Sequence, residues 1–441
     1  MKIRPRSFGT VLSVILSTGL GVSVVGTGMP AAVAGTSCPD NHFITSWATS
    51  PTDSVTPVDA NFGVTPTVVS DQSFRSVITP HMGGSTLKVR LSNRYGATPV
   101  TFGHVTVARQ ADGPDADGTP VPVEFSGSGD VTLGPGEEIV SDPVDLSFGS
   151  FDPLLVSTYV SGVAGPPTQH WNANATSYMA PPGSGDRTGD ASGGAFSDAS
   201  GAWLYTTGLE VGAPDDAGTL VAFGDSITDG FVGSGRVPIP ADASVNDSDH
   251  RYPDALQRRL DEAGSPVAVA NAGIGSNQLL VNAEPLFLGA AGVDRFHRDA
   301  LDLPGAYGVI VLIGINDLGL NPTVTTQAMI DGYRNLVSQA RDSGKKIWLG
   351  TITPASDALV DGTLLAPQSD RMRTEINDWI RSQDIADGYV DFDAALRSPD
   401  DPSVMRADYA SPDHLHPNPA GYRAMADAVD LAQIRKDPGV C

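Results

Sequence analysis

The chain has 441 residues and a formal charge of −24, with 51 acidic side chains against 27 basic ones. So acidic a polymer repels phosphate backbones and anionic bilayers, which excludes nucleic acid as an expected partner and favours small or neutral molecules. The length fits about two domains.

At the start, Lys2, Arg4 and Arg6 precede an apolar run from Val11 to Val25, and Ala32-Val33-Ala34 follows as a small-residue cleavage signature. Residues 1–34 therefore read as a signal peptide and the mature chain as secreted and extracellular. No second apolar span of membrane length follows, so no stable membrane insertion is expected. The two cysteines, Cys38 and Cys441, stand at the ends of the mature chain. In an oxidising compartment that placement predicts one disulfide joining them.

Residues 40–212 carry the period of β-structure. Thr86 to Leu91 and Val105 to Ala108 alternate apolar and polar residues, and Leu154 to Val160 reads as a more buried strand. Turn-rich pieces separate these runs, and no amphipathic helix interrupts them, so a β-sandwich or jelly roll is expected. Pro181 to Gly201 reads as a long surface loop, with a last strand from Ala202 returning the chain. Trp47 and Trp171 are expected in the core of this region rather than as sugar platforms.

A short linker, 212–218, leads into residues 219–435, where the rhythm changes to strand then helix. Val221 to Phe223, Val267 to Ala270, Val309 to Ile313, Ile347 to Leu349 and Tyr389-Val390 read as buried strands. Helices are expected from Pro253 to Leu260, Thr326 to Asp342, Arg371 to Arg381 and Pro419 to Leu431. Buried strands alternating with helices predict an α/β domain with a doubly wound parallel sheet. Functional groups in such sheets gather beyond the carboxyl ends of the strands.

Four polar blocks stand apart from this framework: Gly224-Asp225-Ser226, Asn271-Ala272-Gly273, Gly314-Ile315-Asn316-Asp317 and Asp413-His414-Leu415-His416-Pro417. The first three each follow an expected strand directly. Together they contain a hydroxyl, two groups able to donate to an oxyanion, and an acid–histidine pair, which is the equipment of acyl transfer through a serine ester. Each block also has a plainer use. Ser226 suits a helix cap, Gly273 a turn, Asn316 an Asx turn, and Asp413, His414 and His416 supply only part of a metal ligand set. Position alone leaves His414 and His416 as rival partners of Asp413. Asp247 and Asp249 read as solvated loop acids rather than calcium ligands.

The order of these blocks resembles the SGNH/GDSL hydrolase superfamily. Gly224 to Gly230, Arg251-Tyr252-Pro253-Asp254, Asn271 to Ile274 and Asp413 to Pro417 are similar to its secreted bacterial members, as are Thr45-Ser46-Trp47-Ala48 and Leu91-Ser92-Asn93 to their N-terminal β domain. The resemblance implies a flavodoxin-like sheet and a serine ester hydrolase without cofactor or metal. It makes Ser226 the nucleophile, His416 the base and Asp413 its orienting acid, with the Ser226 N–H, the Gly273 N–H and the Asn316 side chain as oxyanion hole. The polar stretch from Phe231 to His250 departs from the pattern as a longer connection that shapes or covers the cleft. The expected partner is an ester: a small molecule, a lipid or an O-acylated glycan. The rival readings are a carbohydrate-binding or adhesion protein with a vestigial site, and an acyltransferase using the same three residues.

Overall fold

The computed structural model describes residues 42–437. Residues 1–34, read above as a signal peptide, and both cysteines, Cys38 and Cys441, lie outside the described residues.

Two large antiparallel sheets and a short two-stranded one, Gln169–His170 with Trp203–Leu204, form the first half. One large sheet runs Phe43–Ala48, Thr206–Gly212, Gly84–Ser92, Glu138–Val140, with Val144–Phe148 also paired to Gly84–Ser92. The other runs Asp198–Ser200, Ser177–Met179, Val69–Ile78, Leu154–Ala164, Val100–Asp112, Asp115–Pro122, with Val131–Leu133 on Val100–Asp112. Period-two alternation turns Leu87, Val89 and Leu91 from one sheet and Phe102, Val105, Val107 and Val156 from the other into a single core. Trp47 joins that core, edge-on to Trp203 with ring centroids 4.9 Å apart. The stretch 181–201 is less free than its composition suggests. Its residues Asp198–Ser200 add a strand, and the buried Arg75 guanidinium reaches the carbonyls of Pro114 and Asp190 and lies 4.0 Å over the Phe196 ring.

The second half is a five-stranded parallel sheet in the order Val267–Gly273, Gly218–Gly224, Ala306–Leu312, Lys346–Gly350, Gly388–Val390. This is the 2-1-3-4-5 order of doubly wound flavodoxin-like folds, and the strand order reverses beside the first strand. The helices are α1 (Ser226–Asp229), α2 (Tyr252–Glu262), α3 (Gly292–Phe296), α4 (Ile315–Leu320), α5 (Thr326–Asp342), α6 (Ser369–Ser382), α7 (Phe392–Leu396) and α8 (Pro419–Asp427). Local chemistry starts them. Thr325 caps α5 through the Ala328 N–H, Asn418 caps α8 ahead of Pro419, and Asp254 accepts the Arg251 N–H at the head of α2. The last helix stops at Asp427, short of the expected Leu431, and α1, α3, α4 and α7 are too short to leave a periodic trace.

The two halves meet over the first parallel strands. The Thr45 N–H donates to the Pro304 carbonyl at 2.8 Å, the Thr219 hydroxyl donates to the Thr45 carbonyl at 2.9 Å, and Ala268 packs into the antiparallel core. His81, in the first half, lies 3.1 Å from Asp254 of α2 through Nε2. Among the described residues no helix is long and apolar enough to cross a membrane.

Candidate active site

The reversal beside the first parallel strand leaves a crevice at the carboxyl end of the sheet, and the four blocks converge on it. Ser226 opens α1 immediately beyond that strand, where Asp225 caps the helix by accepting the Ile227 N–H at 3.0 Å. Its hydroxyl lies 2.8 Å from His416 Nε2, although the two are 190 residues apart. The other imidazole nitrogen, Nδ1, lies 2.7 Å from Asp413 Oδ2. The second Asp413 oxygen accepts the Leu415 and His416 N–H groups at 2.9 and 3.0 Å and the Ser411 hydroxyl at 2.7 Å. Burial alone would raise the Asp413 carboxyl, but the His416 charge and these hydrogen bonds outweigh it and hold the group well below the ordinary carboxylate range.

The choice between the two histidines is made by the backbone. His414 has φ of 62°, which turns its ring outward to an exposed pair with Asp357, whereas His416 is buried against the Phe231 ring at 4.8 Å.

The stretch 231–250 closes this group from one side. Phe231 covers His416, and a Cβ on Gly233 would sit 2.1 Å from Asp413 Oδ2, so only glycine admits the carboxylate there. The Tyr422 hydroxyl fixes the segment by donating to the Phe231 carbonyl at 2.6 Å. Asp247 is engaged as well, accepting the Thr176 N–H and hydroxyl at 2.6 and 2.7 Å. Among the described residues no group of three or more His, Cys, Asp or Glu is placed to hold a metal.

A cleft of about 400 Å³ opens over Ser226 and His416. Asn316 lines it, one of its amide protons spent on the Asn277 carbonyl at 3.0 Å and the other without an acceptor among the described residues. Gly273 does not line it. Its N–H donates to Asn271 Oδ1 at 2.8 Å, and a Cβ there would lie 2.2 Å from the Asp229 nitrogen. The glycine serves the close approach of strand to α1, which corrects its assignment as an oxyanion donor. Three residues on, Ser276 takes φ of 57° and lines the cleft, and its N–H meets no acceptor among the described residues. The Ser226 N–H is likewise without an acceptor among them.

Three further participants escaped the sequence reading. Trp171, expected in the β core, instead forms the cleft wall, stacked on Phe287 at 4.8 Å and parallel to Phe231 at 6.4 Å. Its partners are distant in sequence, so no local pattern announces them. Asp361 reaches the same cleft with both carboxyl oxygens buried and without a donor among the described residues. Burial pushes it up to about 7, Asp225 also to about 7, and Asp317 to about 6. The fully buried Arg295 donates to the Gly224 and Ala272 carbonyls at 2.7 and 2.9 Å and to Asn277 Oδ1 at 3.0 Å, tying the ends of two adjacent parallel strands to the loop that follows the second.

A parallel sheet with this topology, carrying a serine, a histidine and an aspartate in hydrogen-bonded series over its carboxyl edge, is the framework of a hydrolase. Residues 222–424 match the family model for the GDSL-like Lipase/Acylhydrolase family. The domain is thus that of an ester-hydrolysing enzyme. Among curated proteins none matches the sequence. Among solved structures, the aryl esterase of M. smegmatis is 18% identical, with 48% of this chain and 96% of that one covered and a TM-score of 0.37. A carbohydrate acetylesterase from Sinorhizobium meliloti is 14% identical over 48% of this chain and 95% of its own, with a TM-score of 0.37. A lipase/acylhydrolase from Enterococcus faecalis is 20% identical over 48% and 92%, with a TM-score of 0.35.

Proposed function

We propose that the protein is a secreted carboxylic ester hydrolase that works through an acyl-enzyme on Ser226. The observation carrying this reading is the unbroken chain from the Ser226 hydroxyl through His416 to Asp413, at 2.8 and 2.7 Å. Ser226 Oγ attacks the ester carbonyl carbon while His416 Nε2 takes the hydroxyl proton, and Asp413 holds the ring and balances the imidazolium. The carbonyl oxygen, now negative, is received by the Ser226 and Ser276 N–H groups and the second amide proton of Asn316. Each such donor is worth on the order of 3–4 kcal/mol in the transition state. Collapse expels the alcohol, which leaves with the proton from His416. Water then attacks the acyl-enzyme with the same base and releases the acid.

Export is supported by the basic start, the apolar run and Ala32-Val33-Ala34. The apolar cleft wall of Trp171, Phe231 and Phe287 favours an ester with an apolar portion. The test is turnover of nitrophenyl acetate and butyrate by the purified protein and its Ser226→Ala variant. Turnover lost in the variant, with melting temperature unchanged, is expected; an equally active variant would overturn the assignment.

A further inference from the structure

The antiparallel half reaches into the site through one short segment, residues 170–174. His170 places Nδ1 2.7 Å from the Ser50 carbonyl and Nε2 3.0 Å from Asp229 Oδ1. Asn172 donates from Nδ2 to the other Asp229 oxygen at 3.0 Å, and Asn174 donates from Nδ2 to the Asp229 carbonyl at 3.0 Å. All three side chains and Asp229 are buried. Three separate side chains thus hold the three oxygens of one residue, and that residue ends the four-residue helix that Ser226 begins.

A single helical turn has too few internal hydrogen bonds to hold its own direction. At its head α1 is fixed by Asp225 and, through the Gly224 carbonyl, by Arg295. At its tail the 170–174 segment does the same work. Trp171 lies between His170 and Asn172, the two residues whose side chains meet the Asp229 carboxylate, and itself lines the cleft wall. The segment is itself anchored in the antiparallel half, where the Ala173 N–H donates to the Gly201 carbonyl at 2.8 Å.

We infer that residues 170–174 are a working part of the catalytic centre: His170, Asn172 and Asn174 are positioning residues that aim the Ser226 hydroxyl through Asp229, and Trp171 is a specificity-determining residue for the apolar part of the ester. The inference rests on the ester hydrolase reading and predicts opposite kinetic signatures from adjacent positions. Loss of an Asp229 donor misaims the nucleophile and lowers kcat. Loss of the Trp171 ring removes binding surface and raises KM.

The test uses the whole chain, with active sites counted by stoichiometric labelling with a fluorophosphonate. For Asn172→Ala, and in parallel Asn174→Ala should the first not fold, kcat per labelled site on nitrophenyl butyrate is expected to fall at least tenfold with KM within about twofold. For Trp171→Ala, KM is expected to rise about tenfold for longer nitrophenyl esters or longer alkyl acetates, with kcat nearly retained and little change on nitrophenyl acetate. A merely structural segment would lower the number of labelled sites and leave kcat per site unaltered, which overturns the positioning role. A Trp171→Ala profile flat against both acyl and alcohol length overturns the specificity role. An unaltered protein that neither labels nor turns over ester fails at the earlier step, the hydrolase reading, and takes the inference with it.

Discussion

Asp413 and His416 meet within one turn of chain: the carboxylate receives the His416 backbone N–H on one oxygen, at 3.0 Å, and faces its ring nitrogen with the other, at 2.7 Å. One residue therefore fixes both the main chain and the tautomer of the base, and no distant element has to be brought into register for the pair to form. Asp413→Asn keeps the shape but can no longer balance an imidazolium. Its kcat/KM on nitrophenyl acetate should fall by about 10³–10⁴, most of it in kcat. Steady-state kinetics on the variant check this, and a loss below tenfold would show that the pair does not work as a base and its orienter.

Asn316 has one amide proton committed to the Asn277 carbonyl and one facing the cleft. Asn316→Ala should lower kcat by about 10²–10³ with KM little altered, since a donor to the oxyanion acts only once charge has developed. A transition-state mimic such as a boronic acid should lose affinity for the variant in the same proportion. A raised KM with kcat unchanged would instead mark Asn316 as a ground-state contact.

The parts of the site that could be read in advance are those in which residue type and local position suffice. The run Val309 to Ile313 is apolar enough to be a buried strand, so the polar block behind it had to fall at a strand end. The spacing of Asp413 and His416 allows a local pair. His414 satisfies the same description, and only the backbone turn at φ of 62° removes it. Gly273 illustrates a different limit. A glycine admits either an exposed donor or a close backbone approach, and the sequence does not distinguish the two; the packing of α1 against it, 2.2 Å from a Cβ, selects the second. Trp171, Arg295 and Asp361 were illegible because their roles depend on partners brought together by the fold: Phe231 and Phe287, the Gly224 carbonyl, and the cleft floor.

The buried carboxyls make stability depend on pH in two opposing directions. Asp413, held below its ordinary range, contributes stability that is present above pH ~4 and lost as pH falls toward its folded value. Asp361 and Asp225, pushed up to about 7, behave oppositely: their contribution is complete below pH ~4 and is lost as pH rises through about 7. The protein should therefore melt highest in the mildly acidic range between. Asp361→Asn removes one ionisation on the alkaline side. At about 1.4 kcal/mol for each tenfold in proton affinity, the variant should gain on the order of 4 kcal/mol over the unaltered protein at pH 8, a gain that shrinks to nothing near pH 4. Urea unfolding of both proteins across that range measures it, and a difference independent of pH would mean the Asp361 carboxyl is not the group responsible.

Arg295 holds the site together, because it satisfies acceptors at the ends of two adjacent parallel strands and on the loop that follows one of them. Its guanidinium lies 4.0 Å over the Phe223 ring while donating to the Gly224 and Ala272 carbonyls, to Asn277 Oδ1 and to Asp299. Asn277 in turn supplies the carbonyl that orients Asn316. The planar fork reaches these acceptors at once; a lysine ammonium is a single point and cannot. Arg295→Met leaves buried acceptors unpaired and should cost about 3–5 kcal/mol, and Arg295→Lys should recover only part of that loss. Asp299 keeps a partner in Arg298, so the deficit falls on the loops rather than on a bare carboxylate. Both variants should accordingly lose more kcat than Asn316→Ala alone, since the serine loop and the donor loop loosen together. Urea midpoints paired with kcat per fluorophosphonate-labelled site test this: unaltered kcat per site in Arg295→Lys would show that the strand ends and the Asn277 loop hold their geometry without the guanidinium.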